Sequence, residues 1–141
     1  QGEGNALGNL GITYEKLGDY TQAVDYAEQS LTVAREIGDR RGEGAGLREL
    51  GVALLRQDFT TKALENLQAA LDISQEVKSP SDEAETLKNL AELHQALGEV
   101  EVARQYGQQA LALATELGIP LKAECEVLLQ QLETSEGDSE I

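Results

Sequence analysis

Few residues in this chain could do chemistry. His94 is the only histidine and Cys125 the only cysteine, whereas a zinc site needs three or four converging Cys, His or carboxylate ligands. A Cys–His pair built for nucleophilic catalysis wants a third group to orient the base, and none stands at a suitable spacing. Gly2-Glu3-Gly4 and Gly42-Glu43-Gly44-Ala45-Gly46 lack the Lys-Ser/Thr ending of a phosphate-cradling loop. Asp82, Glu83 and Glu85 are acidic neighbours without the alternation and glycine of a calcium loop. The expectation is therefore no catalytic residue, no metal and no cofactor, in a chain that is not an enzyme. What remains is charge in particular places. Lys16, Arg48, Arg56 and Lys88 are four of only 11 basic residues, against 26 acidic ones.

The formal net charge of −15 argues against DNA and RNA, whose phosphates must be neutralised by Lys and Arg. It argues equally against anionic membrane surfaces, which attract polybasic segments. No apolar run approaches the roughly 20 residues of a membrane span. A single cysteine excludes an internal disulfide. The chain has no Met and opens on Gln1, which suggests a piece of a longer protein, and the expected location is the cytoplasm. Hydrophobic residues make up 40% but aromatic ones only 4%, so Leu and Ala carry the core. Both are strong helix formers with little rotamer freedom to lose.

The elements that hold these residues follow from an internal repeat, which has to be sought before any local reading. A shift of forty residues aligns Gly2-Glu3-Gly4 with Gly42-Glu43-Gly44 without a gap. It also aligns Leu7, Leu47 and Leu87; Leu10, Leu50 and Leu90; and Ala23, Ala63 and Ala103. Gly11, Gly51 and Ala91 form a column of small residues, and Pro80 and Pro120 are one period apart.

Within a copy the apolar spacing is helical. Leu7, Leu10, Gly11, Tyr14 and Leu17 share one face of a first helix. Gly18-Asp19 supplies a turn, and a second helix carries Ala23, Ala27, Leu31, Ala34 and Ile37 along one side. Later breaks fall near Asp58, at Lys78-Ser79-Pro80, at Gly98 and at Gly118-Ile119-Pro120. Ser81-Asp82-Glu83 is placed to cap the helix after Pro80. Small residues where two helices face each other predict close packing, because an interior glycine costs about 0.5–1 kcal/mol against Ala.

Leu7, Leu10-Gly11, Tyr14 and Ala23, with the stretches GNALGNLGITYEKLGDYTQAV and LTVAREIGDRRGEG, resemble the tetratricopeptide repeat. The forty-residue period resembles the long-helix variety of Pins/LGN-type adaptors and bacterial signalling proteins. The resemblance implies an all-α, right-handed solenoid: one array over 1–134, with repeats at 1–40, 41–80 and 81–120. Leu121, Cys125, Leu128 and Leu132 give a capping helix over 121–134, and 135–141 reads as an acidic flexible tail. Departures are Leu54 and His94 in the column of Tyr14; His94 reads as a packed, hydrogen-bonded residue and Cys125 as buried filler.

The resemblance also implies a binding stripe on the first helices, lining a concave groove that holds extended or helical peptides. Its residues are Asn5, Asn9, Ile12 and Lys16, then Arg48, Val52, Leu55 and Arg56, then Lys88, Asn89 and Glu92. Four basic side chains, asparagines able to grip a peptide backbone and an apolar floor would suit an acidic and hydrophobic segment or a C-terminal carboxylate. Charge dispersed in i,i+4 pairs with Glu is the competing reading. The function expected is a protein-interaction scaffold. A ligand-gated sensor of a signalling protein and an array that self-associates end to end are the alternatives.

Overall fold

A computed structural model describes the backbone of residues 2–140 and the side chains of 6–134. The described residues form seven α-helices: α1 (Gly2–Lys16), α2 (Tyr20–Ile37), α3 (Arg40–Arg56), α4 (Thr60–Glu76), α5 (Pro80–Ala96), α6 (Val100–Leu117) and α7 (Leu121–Glu140). They fall into two compact units, Gln1–Ser79 and Pro80–Ile141, divided where the sequence places a repeat boundary. In the first unit α1 pairs with α2, α2 with α3 and α3 with α4, and α1 also touches α3. In the second, α5 pairs with α6, α6 with α7, and α5 touches α7. Helix starts recur with the forty-residue period, at Tyr20, Thr60 and Val100 and at Arg40 and Pro80, while α4 ends one residue early and α7 starts one residue late. α7 continues past 134, the end expected for the capping helix; the side chains of the acidic tail lie outside the described residues.

The turns show how the period is enforced. Positive φ recurs at Gly18, Gly38, Asp58, Lys78, Gly98 and Gly118. At Gly38 (φ 71°) the backbone N–H reaches Ala34 O and Arg35 O, closing α2. Asp58 (φ 66°) and Lys78 (φ 56°) hold the same conformation without being glycine. The helix starts are less uniform. Asp19 and Asp39 accept from the backbone N–H of Gln22 (3.2 Å) and Gly42 (2.9 Å). Ser81-Asp82-Glu83 does not cap α5, which already begins at Pro80; Asp82 and Glu83 lie within its first turn and complement the helix dipole.

Phe59 stands in the column of Asp19, makes no capping hydrogen bond and is 54% exposed. Phe59→Asp should restore the missing acceptor and raise stability by about 1 kcal/mol. Urea unfolding of the two proteins checks this, and an unchanged midpoint would refute it.

The core is Leu and Ala. Ala23, Ala27, Ala63, Leu67, Ala91, Ala103 and Leu132 are all buried. Leu10 is the exception in its column, 41% exposed where Leu50 is 8% and Leu90 is 0%. Leu50 sits on α3, which is flanked by α1, α2 and α4, whereas α1 has only α2 and α3. The same crowding corrects the binding stripe, because Leu55, expected on the free face, is 7% exposed.

Candidate functional site

In the first unit, the Arg56 guanidinium lies 3.6 Å from Glu15 of α1. Asn9 is exposed, its carbonyl accepting from Thr13 Oγ1 at 2.8 Å. Ile12, Arg48 and Val52 are half-buried and Lys16 is exposed. The side chain of Asn5 lies outside the described residues. In the second unit, Lys88 Nζ lies 3.4 Å from Glu124 of α7 and 3.7 Å from Glu92 one turn along α5. Asn89 Nδ2 donates to Glu92 Oε1 (3.2 Å). Two of the four basic residues are thus neutralised by carboxylates of the chain itself, which removes much of the stripe's attraction for an acidic segment.

Two concavities hold what the stripe leaves open. The first lies in the second unit between α5 and α7 and encloses about 360 Å³. Lys88, Glu92 and Gln95 form one wall, and Glu124, Val127 and Gln131 the other, with Ala123 and Leu128 also lining it. Gln95 Nε2 donates to Gln131 Oε1 (3.4 Å) across the cleft. Val127 is 55% exposed beside buried Leu128, so an apolar lip stands next to amide groups that can exchange hydrogen bonds.

The second concavity, about 310 Å³, lies where α1, α2 and α3 meet. α1 contributes Gly8 and Asn9, and α2 contributes Ser30, Val33, Ala34 and Ile37. Asp39, Gly42, Ala45 and Glu49 complete it. Sequence reasoning reached only Asn9 among these as a site residue, because the hollow depends on what three helices do not fill. The α7 wall of the other cleft was equally unforeseen, though Lys88–Glu124 and Gln95–Gln131 share one separation in sequence, a signal visible once the packing is known.

A charge network stands at the end of α3. Arg40 Nε lies 2.7 Å from Glu76 and its Nη1 2.9 Å from Glu43, which Arg35 also meets at 3.2 Å. Hydrogen bonds from Arg40 hold the Glu76 carboxyl below its usual range. At Glu43 desolvation pushes upward, but the bonds from Arg40 and Arg35 prevail and the net shift is downward. Depressed carboxylate values mean that this network supports the fold above the unfolded carboxylate range and loses that support as pH falls through the folded values.

The residues with chemical potential are occupied structurally. The His94 ring stacks on Tyr106 (centroids 5.4 Å apart, 13° between planes) and its Nδ1 lies 3.1 Å from Glu99 Oε1. The same pair of columns stacks Tyr14 on Tyr26 at 5.4 Å in the first copy. Cys125 is fully buried in α7, and burial raises its thiol above the ordinary value. Among the described residues no three His, Cys, Asp or Glu side chains gather to hold a metal ion. No helix among them is long and apolar enough to cross a membrane.

Paired helices with a forty-residue period, closing on small residues and leaving clefts between first helices, define a helical-repeat scaffold. A tetratricopeptide repeat profile matches residues 43–116, and a second one matches 6–41. The chain belongs to the tetratricopeptide repeat family, whose members are protein-interaction scaffolds. No curated protein matches the sequence. Among solved structures, the apo form of RapI is similar over 96% of this chain and 50% of its own, with TM-score 0.85 and 18% identity. A Rap protein complexed with competence and sporulation factor is similar over 95% of this chain and 38% of its own, with TM-score 0.90 and 19% identity. BtubC from P. vanneervenii is similar over 96% and 57%, with TM-score 0.81 and 18% identity. The chain therefore spans between about two fifths and three fifths of the length of these structures, and the likeness is one of fold.

Proposed function

We propose that this chain binds a peptide segment of a partner protein on the faces of its first helices, as one module of a longer scaffold. The observation that supports this most directly is the cleft between α5 and α7, which offers a half-exposed Val127 for an apolar anchor and Gln95 and Gln131 for backbone hydrogen bonds. An apolar anchor flanked by polar groups is how grooves hold peptide segments. The similar Rap structure with competence and sporulation factor is a precedent for a bound partner on this fold. The interior positions of His94 and Cys125 favour a binding role over a catalytic one.

The partner's chemistry is set by the pairing of the basic residues. With Lys88 held by Glu92 and Glu124, the cleft selects an apolar side chain more than an acidic one. The test is calorimetry of the chain against a peptide library, followed by Val127→Glu. That substitution sits on the solvent side of α7, so the fold should keep its melting midpoint while affinity for cleft-binding peptides falls by about tenfold or more, the loss of one apolar anchor. Hits whose affinity survives Val127→Glu unchanged would remove the cleft from the binding site.

A further inference from the structure

The cleft between α5 and α7 is crossed twice, and the two crossings differ in kind. Lys88 Nζ meets Glu124 Oε1 at 3.4 Å, and Gln95 Nε2 meets Gln131 Oε1 at 3.4 Å. On each helix the second crossing comes seven residues after the first, roughly 10 Å along the axis. An extended segment of about three residues covers that distance. Val127 lines the cleft between the two crossings. A segment anchored there has one neighbour of its anchor beside the ionic crossing and the other beside the amides.

The ionic crossing sets one cation against two carboxylates, and the two are held differently. Glu92 is fixed on its own helix, with Oε2 3.7 Å from Lys88 Nζ and Oε1 accepting from Asn89 Nδ2. Glu124 reaches Lys88 from the opposite wall, and its side chain is 60% exposed against 17% for that of Lys88. So exposed an ion pair contributes little, and Glu124 returns to water at small cost. Glu124 also breaks the repeat, because its column otherwise holds Gly4, Gly44 and Ala84. None of those side chains is long enough to reach across a cleft, so the acid is particular to α7.

We infer that Glu124 is the specificity-determining residue of this cleft. Its carboxylate occupies the place beside Lys88 that an acidic residue next to a partner's apolar anchor would take, and so turns the cleft toward anchors with neutral neighbours. The inference rests on the proposed function for the peptide and assigns the residue that sets its chemistry. With Glu124 in place the crossing carries one positive and two negative charges, and a third carboxylate is repelled. Without Glu124 the charges are one of each sign, and a carboxylate arriving on the α7 side replaces the partner that Lys88 has lost.

The probes are N-acetylated, C-amidated hexapeptides with a central Leu whose two neighbours are both Asn or both Asp. Methyl NMR of the isotope-labelled chain reads their binding at Val127 and Leu128. The Asn peptide should bind the unaltered chain about two- to fivefold more tightly than the Asp peptide. Glu124→Gln should tighten the Asp peptide by a similar factor and leave the Asn peptide nearly unchanged. Glu126→Gln removes the same charge from an exposed position outside the cleft and should alter neither. Adding Lys88→Gln to Glu124→Gln should take the gain away, with the melting midpoint of each variant showing that it is folded. An Asp-to-Asn ratio that ignores Glu124→Gln, in a chain that still binds the Asn peptide at Val127, would overturn the inference and leave the proposed function standing. An equal gain from Glu126→Gln would also overturn it, as an effect of net charge alone. If neither peptide moves the Val127 or Leu128 signals in any of these proteins, the cleft holds no such segment, and the proposed function falls together with the inference.

Discussion

Gly51→Ala is expected to destabilise the chain by about 1–3 kcal/mol, whereas Gly11→Ala, in the same column of the repeat, should stabilise it by about 0.5–1 kcal/mol. The opposite signs come from the residues each glycine faces. A Cβ on Gly51 would lie 2.8 Å from Leu67 Cγ and 3.3 Å from the carbonyl oxygen of Ala63. Leu67 is fully buried and cannot swing aside, so the methyl group must push two helices apart. A Cβ on Gly11 would meet Ala23 O, Ala27 N and Tyr26 Cβ all at 3.5 Å, which is ordinary contact. There the gain is the helix propensity of Ala over Gly.

The two positions facing each other trade volume along the chain. Gly11 faces Ala27, Gly51 faces Leu67, and Ala91 stands near Gly107. In the third copy the bulk comes from elsewhere, since a Cβ on Gly107 would lie 2.9 Å from Leu129 Cδ2 of α7. Leu67→Ala alone should cost about 2–5 kcal/mol as a buried cavity. Combined with Gly51→Ala, the total should fall short of the sum, because the new methyl group enters the space that Leu67 vacated. Urea unfolding of the four proteins measures this. Equal signs for Gly11→Ala and Gly51→Ala, or strict additivity at 51 and 67, would show that the columns pack independently of each other.

These pairs also mark how far sequence alone reached. The helix boundaries, the turns and the buried stripe of α7 were legible, because each depends on residues of one segment repeated in phase. The column of Gly11, Gly51 and Ala91 reads as a place of close packing; there is no room for a Cβ at Gly51, opposite Leu67, and ordinary room for one at Gly11. The sequence leaves the basic stripe open between a groove and charge paired with Glu, and its cross-helix pairs are not in either reading: Lys88 and Arg56 meet acids on neighbouring first helices, Glu124 and Glu15. Periodicity places a residue on a face; what sits across from it depends on the next copy. The hollow where α1, α2 and α3 meet depends on what three helices leave unfilled, which no single segment shows.

α7 offers the other large effect, read through the one cysteine. Cys125, Leu128 and Leu132 are buried on the side of α7 that faces α6 and α5, Leu132 and Cys125 completely. Ala91, Ala103, Leu128 and Leu132 form one cluster, with Val100, Tyr106 and Leu129 packed against it. Burial raises the Cys125 thiol, although the Lys88 ammonium draws it partly back. Both its inaccessibility and its low thiolate fraction slow attack on a disulfide reagent. Labelling in the native chain must then wait for α7 to lift. Leu132→Ala should cost about 2–5 kcal/mol, and where lifting limits labelling that cost becomes an acceleration of about 30- to 4,000-fold. Val127→Ala, on the exposed side of the same helix, should leave the rate nearly unchanged. Native labelling as fast as in urea, or equal acceleration by Leu132→Ala and Val127→Ala, would mean that α7 is not held by this stripe. A slow native rate that only Leu132→Ala releases would show that the second unit is closed by packing of α7, with the α5–α7 cleft resting on a helix that stays in place.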